Sequence, residues 1–303
     1  MRRMIGTLQR AAMAAAVALT VIIPAASHAR PTMAFEQEVV TGPPIALVGG
    51  NVVDVVEGRV SANSTIIVKG GRIEAIGPVG EVQIPADAKR VDMTGRYLMP
   101  GLINAHASLG LRLPGTAGAA LANETDPQLV LRMADNARKS LLSGVTLVRL
   151  TSDRHGMEFI LKAAIDKGSL PGPRIVSAGE SIAPTGGHGY RKANGPYEFA
   201  QAVRTQIERG ATWIKIALSG GIADAHGAID AAPMTDEELA MVVEVAKRNG
   251  AKGCAHNGSP VAAMQAMKFG VDSFEHGYFF TDEVLRKMKE KGIWLVPTIV
   301  VSQ

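Results

Sequence analysis

One cysteine, Cys254, stands in 303 residues, so no internal disulfide framework can form. Aromatic residues make up only 4% of the chain, too few to build base-stacking platforms for nucleic acid. The apolar run over residues 11–23 falls short of the roughly 20 residues that span a bilayer. What the chain does have is 47% hydrophobic residues and 33 glycines, which suits an α/β protein with many tight strand–helix junctions.

The N-terminus reads as a targeting segment. Arg2, Arg3 and Arg10 precede and flank the apolar run, and Pro24 precedes Ser27-His28-Ala29, a small-x-small cleavage site. This predicts a signal peptide over residues 1–29, no stable membrane anchor, and a periplasmic or secreted protein. Cleavage there removes three arginines and no acid, taking the net charge from +4 to +1. The charge argument for a nucleic-acid partner disappears with them. Residues 30–44, with Pro31, Pro43 and Pro44, read as a linker.

Residues 45–97 read as short strands in a small β module. Gly49-Gly50 and Gly70-Gly71 are its expected hairpin turns. From residue 98 the pattern becomes strand then helix, which implies a parallel sheet. Glycine marks each helix end at Gly144, Gly210, Gly250, Gly270 and Gly292. Asp126-Pro127, Thr235-Asp236-Glu237-Glu238 and Ser259-Pro260 mark helix starts. Helices are expected near 127–142, 157–167, 197–209, 236–249, 260–269 and 282–291. Seven strands end near His106, Leu150, Ala178, Leu218, His256, His276 and Val300, one short of an eight-stranded TIM barrel.

Several of these strands end on residues able to bind metal. His256 and His276 close adjacent strands, a suitable geometry for two ligands of a divalent ion. A lone histidine in apolar surroundings is more often structural, but repetition at equivalent strand ends weakens that alternative. Lys215 sits inside the apolar strand Trp213-Ile214-Lys215-Ile216, where a buried charge is costly. It must lose its proton, pair with a carboxylate, or be modified; a neutral amine can take up carbon dioxide and become a carbamate. Cys254 reads as core packing. His188 and Tyr190 lie in a glycine-rich loop and are candidates for contacting substrate; His155 and His226 have no motif behind them.

Together these segments resemble the amidohydrolase superfamily, and within it the prolidases and Xaa-Pro or Xaa-Arg dipeptidases. The segments are Gly70-Gly71-Arg72-Ile73-Glu74-Ala75-Ile76-Gly77, Leu98-Met99-Pro100-Gly101-Leu102-Ile103-Asn104-Ala105-His106, Thr185-Gly186-Gly187-His188-Gly189, Lys215 with Ser219-Gly220-Gly221, His256-Asn257-Gly258-Ser259-Pro260 and Glu275-His276-Gly277. The resemblance implies a TIM-barrel domain over 98–303, lacking its last βα unit, behind the first part of a β-sandwich over 45–97. It also implies a zinc-dependent hydrolase with one or two ions, metal ligands His106, Lys215 as a carbamate, His256 and His276, and an activated hydroxide attacking an amide of a dipeptide or N-acyl amino acid.

The chain departs from the family pattern twice. His-x-His at the first strand end is here His106-Ala107-Ser108, and a neutral serine is a poor ligand beside imidazole. The last-strand Asp, which moves the proton in the family, has no counterpart, so no catalytic residue is assigned. At most one firmly bound ion is expected. Two alternatives stay open: a truncated or degenerate relative without activity, and a lactone or phosphoester hydrolase on the same scaffold. Homo-oligomerisation is also open.

Overall fold

The computed structural model describes residues 42–112, 116–222 and 228–300. The expected signal peptide, most of the expected linker, and His226 lie outside the described residues.

The first strands are β1 (Ile45–Asp54), β2 (Arg59–Lys69), β3 (Arg72–Pro78), β4 (Lys89–Asp92) and β5 (Tyr97–Leu98). They form one sheet in the order β3-β2-β1-β4, with β5 also on β1. Gly70 and Gly71 both adopt positive φ, +57° and +73°, as a two-residue turn between antiparallel β2 and β3 requires. The turn expected at Gly49-Gly50 is absent, because β1 runs straight through both residues. The pairing of β1 with β2 slips on either side of Gly50, so the glycines serve a bulge. Gly50 also packs too close to Leu98 for a side chain, since a Cβ there would lie 2.8 Å from Leu98 Cδ1.

Strands and helices then alternate: β6 (Leu102–Ala107), α1 (Thr116–Ala119), α2 (Asp126–Leu142), β7 (Val145–Leu150), a 3-10 turn (Arg154–Gly156), α3 (Met157–Asp166) and β8 (Arg174–Ser177). Two short strands follow, β9 (Ile182–Ala183) and β10 (Arg191–Lys192), then α4 (Gly195–Glu208) and β11 (Trp213–Ala217). The order ends with α5 (Asp236–Arg248), β12 (Lys252–Asn257), α6 (Pro260–Phe269), β13 (Ser273–His276), α7 (Asp282–Lys291) and β14 (Trp294–Val296). Each expected helix is found with ends shifted by two residues or fewer, within the fraying of any helix end.

The parallel strands form two sheets, β6-β7-β8 and β10-β9-β11-β12-β13-β14, where the sequence predicts one barrel sheet. The interruption has a local cause. After β8 the chain enters the loop carrying β9 and β10, and β9 takes the edge of β11 that β8 would have filled. A backbone hydrogen bond from Thr212 N–H to Ser177 O, 3.1 Å, still joins the two sheets. Behind the strands lie two apolar clusters. Phe199, Leu239, Val242 and Ala263 pack α4, α5 and α6 against Ile214, Ile216 and Phe274. Leu129, Met133 and Leu161 pack α2 and α3 against Val148, Leu150 and Ile175.

Candidate metal centre

Parallel register brings the candidate residues together. Lys215 stands opposite Cys254, and Cys254 opposite Ser273. One pleat further along the strands, Ala217, His256 and Glu275 are aligned in the same way. Side chains two apart share a face of a strand, so Lys215, Cys254, His256, Ser273 and Glu275 line one surface. β6 brings His106 to the same place: His106 Nδ1 lies 2.6 Å from Glu275 Oε2.

Four imidazoles form a row. Ring centroids are 4.2 Å apart for His188 and His256, 4.6 Å for His256 and His276, and 5.0 Å for His276 and His106. Burial, with Lys215 close by, holds His276 down to about 3. Burial chiefly lowers His106 and His256 as well. Imidazoles so biased stay neutral and keep a lone pair for a metal. His188 reaches the row because Gly221 leaves room for it; a Cβ at Gly221 would lie 2.8 Å from the His188 ring. Tyr190 is 44% exposed, and its backbone N–H donates to Ser181 Oγ.

Lys215 is buried at 3% exposure and makes no hydrogen bond or ion pair among the described residues. Burial pushes its amine down from the usual lysine range, opposed by the charge of Glu275. That carboxylate is already committed. It accepts from Arg149 Nη2 at 2.7 Å and from Ser273 Oγ at 2.9 Å, besides its bond to His106. Burial alone would raise Glu275, but the His106 bond, Lys215 and Arg149 hold it at about 2. Lys215 therefore has the charge of Glu275 near it but no hydrogen bond to it, because that carboxylate is shared with Arg149, Ser273 and His106. Cys254 is fully buried, and its thiol is pushed up to about 12, mainly by burial, which suits packing rather than reactivity.

Ser108 faces elsewhere. Its hydroxyl donates to Asp153 Oδ1 at 2.6 Å, and the same oxygen accepts from Gly110 N–H at 2.8 Å. Among the described residues no three His, Cys, Asp or Glu are arranged to hold a metal ion. The donor set fits such an ion only when Lys215 supplies the further ligand, as an oxygen-bearing carbamate.

Three residues of this network escape the sequence reading: Arg149, Glu275 and Asp153. Arg149 carries the same signal as Lys215, a cation inside an apolar strand. Besides Glu275 it reaches Ala105 O at 2.6 Å, and its guanidinium sits 4.4 Å from the Trp213 ring centroid. Glu275 lies within the motif Glu275-His276-Gly277 but shows its role only through contacts from distant strands.

Residues 97–303 match the amidohydrolase family. Ochratoxinase of Aspergillus niger is 30% identical over 277 residues, covering 80% of this chain and 56% of that enzyme. A solved Xaa-Pro dipeptidase with methionine in its active site superposes with a TM-score of 0.77 at 29% identity, over 85% of this chain and 67% of that one. A prolidase solved with N-methylphosphonate-L-proline gives 0.78 at 28% identity, over 85% and 66%. The chain thus spans little more than half the length of the ochratoxinase it matches. With the family match covering its α/β region from end to end, the chain belongs to the amidohydrolase family.

Proposed function

We propose that the chain is the metal-binding part of an exported hydrolase that cleaves the C–N bond of a small amide, such as a dipeptide or an N-acyl amino acid. The observation that carries this is the buried Lys215, with no hydrogen bond, on the surface where the rings of His106, His256 and His276 meet. Its amine, favoured in the neutral form by burial, is available to add carbon dioxide and release one proton, which turns it into an anionic oxygen ligand. Named relatives that act on amides, ochratoxinase and the prolidases, support the substrate class.

In this reading residues 45–97 belong to a β-sandwich, and residues 98–303 belong to a TIM-barrel domain. His256, His276 and carboxylated Lys215 would hold zinc, and His106, bonded through Nδ1 to Glu275, lies beside them. Bound there, a divalent ion polarises a carbonyl and lowers the pKa of water. Arg149 fixes Glu275, Glu275 fixes His106, and burial keeps the imidazoles unprotonated. His188 and Tyr190 approach the substrate from the glycine-rich loop.

The reading of an inactive relative has its own observation, the Ser108 hydroxyl turned toward Asp153 rather than toward His106. One experiment separates the two. The chain is prepared with zinc and bicarbonate and assayed on Xaa-Pro dipeptides, N-acyl amino acids, a lactone and a phosphoester. Amide turnover that disappears in His256→Ala supports the hydrolase. Bound zinc with no turnover on any substrate supports the inactive relative, and turnover of the lactone or phosphoester alone changes the bond assigned.

A further inference from the structure

His276 and Thr298 share an unusual property. Each has positive φ, +74° and +47°, and only two other non-glycine residues among those described do so. A β-branched residue rarely adopts this conformation, because its branched Cβ crowds the backbone. The two residues are also bonded to each other: His276 Nδ1 lies 2.6 Å from Thr298 Oγ1. They come from neighbouring strands, since β13 and β14 are paired with Glu275 opposite Val296. His276 is the last residue of β13, and Thr298 follows β14 by two residues.

Strain of this kind persists where the surroundings over-determine it, and it gathers at sites where geometry matters. The ring of His276 is held on other sides too. Tyr278 stacks on it with planes 5° apart, and His256 meets it edge-on at 67°. The strained backbone at Thr298 is thus what places a hydroxyl against one nitrogen of an otherwise fixed imidazole.

We infer that Thr298 is a positioning residue for His276, accepting the Nδ1 proton so that Nε2 carries the lone pair toward the metal site. The inference rests on the metal reading above and adds to it a residue outside every motif of the sequence. A ligand imidazole commonly needs such an outer partner to fix its tautomer, and removing one costs about 10–100-fold in metal affinity.

The test uses the 303-residue chain as wild type, Thr298→Ser, Thr298→Ala and Thr298→Gly. Zinc dissociation constants are measured against a competing chelator with bicarbonate present, and thermal midpoints are recorded in parallel. Serine keeps the hydroxyl and is expected to bind zinc within a few-fold of wild type. Alanine and glycine are expected to lose about 10–100-fold. Glycine also accepts positive φ, so its thermal midpoint should not fall, which separates positioning from plain destabilisation. Wild-type affinity in both the alanine and glycine variants would overturn the inference.

A second readout needs no metal. Long-range proton–nitrogen correlation spectra of the zinc-free chain should show His276 protonated on Nδ1 in wild type and a mixture of tautomers in Thr298→Ala. An Nε2–H tautomer in wild type overturns the inference. Zinc binding absent from wild type, with the Nδ1–H tautomer in place, leaves Thr298 a positioning residue and sinks the metal reading instead.

Discussion

At the scale of single residues the site depends on charges removed from water. Arg149 and Glu275 form a buried ion pair at 2.7 Å, and Glu275 also orients His106. Replacing Arg149 by methionine removes the ion-pair partner that lies 2.7 Å from the buried Glu275 carboxylate. The expected cost is about 3–5 kcal/mol of unfolding free energy, measured by urea titration. A variant as stable as wild type would mean that His106, Lys215 and Ser273 suffice to satisfy the carboxylate. A second buried acid behaves in the opposite sense. Glu158, fully buried with Oε2 unpartnered, is pushed up to about 8, by burial first and then by the charge of Asp153. Its folded pKa lies above its unfolded value, so the folded chain binds the extra proton between the two. That stabilising contribution is complete below the unfolded pKa and is lost as pH rises through about 8. The thermal midpoint of wild type should therefore fall over that window, while Glu158→Gln, which cannot ionise, should lose most of this slope. Equal slopes in the two proteins would assign the pH dependence to other groups.

At the scale of elements, local chemistry explains why so much is legible in the sequence. Thr235 caps α5 by accepting from Glu238 N–H, and the Glu238 side chain returns a bond to Thr235 N–H. Ser259 and Thr281 accept in the same way at the starts of α6 and α7. The five glycines expected to end helices all adopt positive φ. These signals need only three or four neighbouring residues, so they can be read without a fold. Thr235→Ala should accordingly lower stability by about 1 kcal/mol, read from the denaturation midpoint. Gly49-Gly50 shows where such reading fails: a glycine pair looks the same whether it makes a turn or a bulge, and contact with Leu98 decides. The site divides along the same line. His106, His256 and His276 stand out because they recur near strand ends, and Lys215 because it is a cation inside an apolar strand. Asp153 and Thr298 are not, because their meaning comes from partners 45 and 22 residues away. Gly258 tests the intermediate case. A Cβ there would meet Ile229 Cγ2 at 2.4 Å and Ile229 O at 2.8 Å, so Gly258→Ala should displace the segment after His256 and weaken zinc binding. Unchanged zinc affinity would show that this loop gives way without moving His256, the ligand proposed above.

At the scale of the whole molecule the sheets end in strands that pair on one side only among the described residues. β6 bonds β7 alone, and β14 bonds β13 alone. Both edges carry apolar side chains in water: Ile103 is 66% exposed and Trp294 74%. Unpaired edges with exposed hydrophobic residues are templates for further strand pairing, and native proteins blunt such edges with charge. Helix residues such as Leu131, Leu142 and Val261 are exposed as well, but they offer no unpaired backbone, so attraction between copies is expected at the strand edges. The 303-residue chain should therefore associate in solution as its concentration rises, seen by light scattering behind size exclusion. The double variant Ile103→Lys, Trp294→Lys should shift that association to higher concentration. Its thermal midpoint should stay near that of wild type, because neither side chain is part of a buried cluster. A monodisperse wild-type monomer at high concentration would show that the edges are protected by contacts outside the described residues. A double variant that associates as strongly as wild type would move the sticky surface to the β1–β5 sheet, where Ile73, Ile76 and Tyr97 are also more than half exposed.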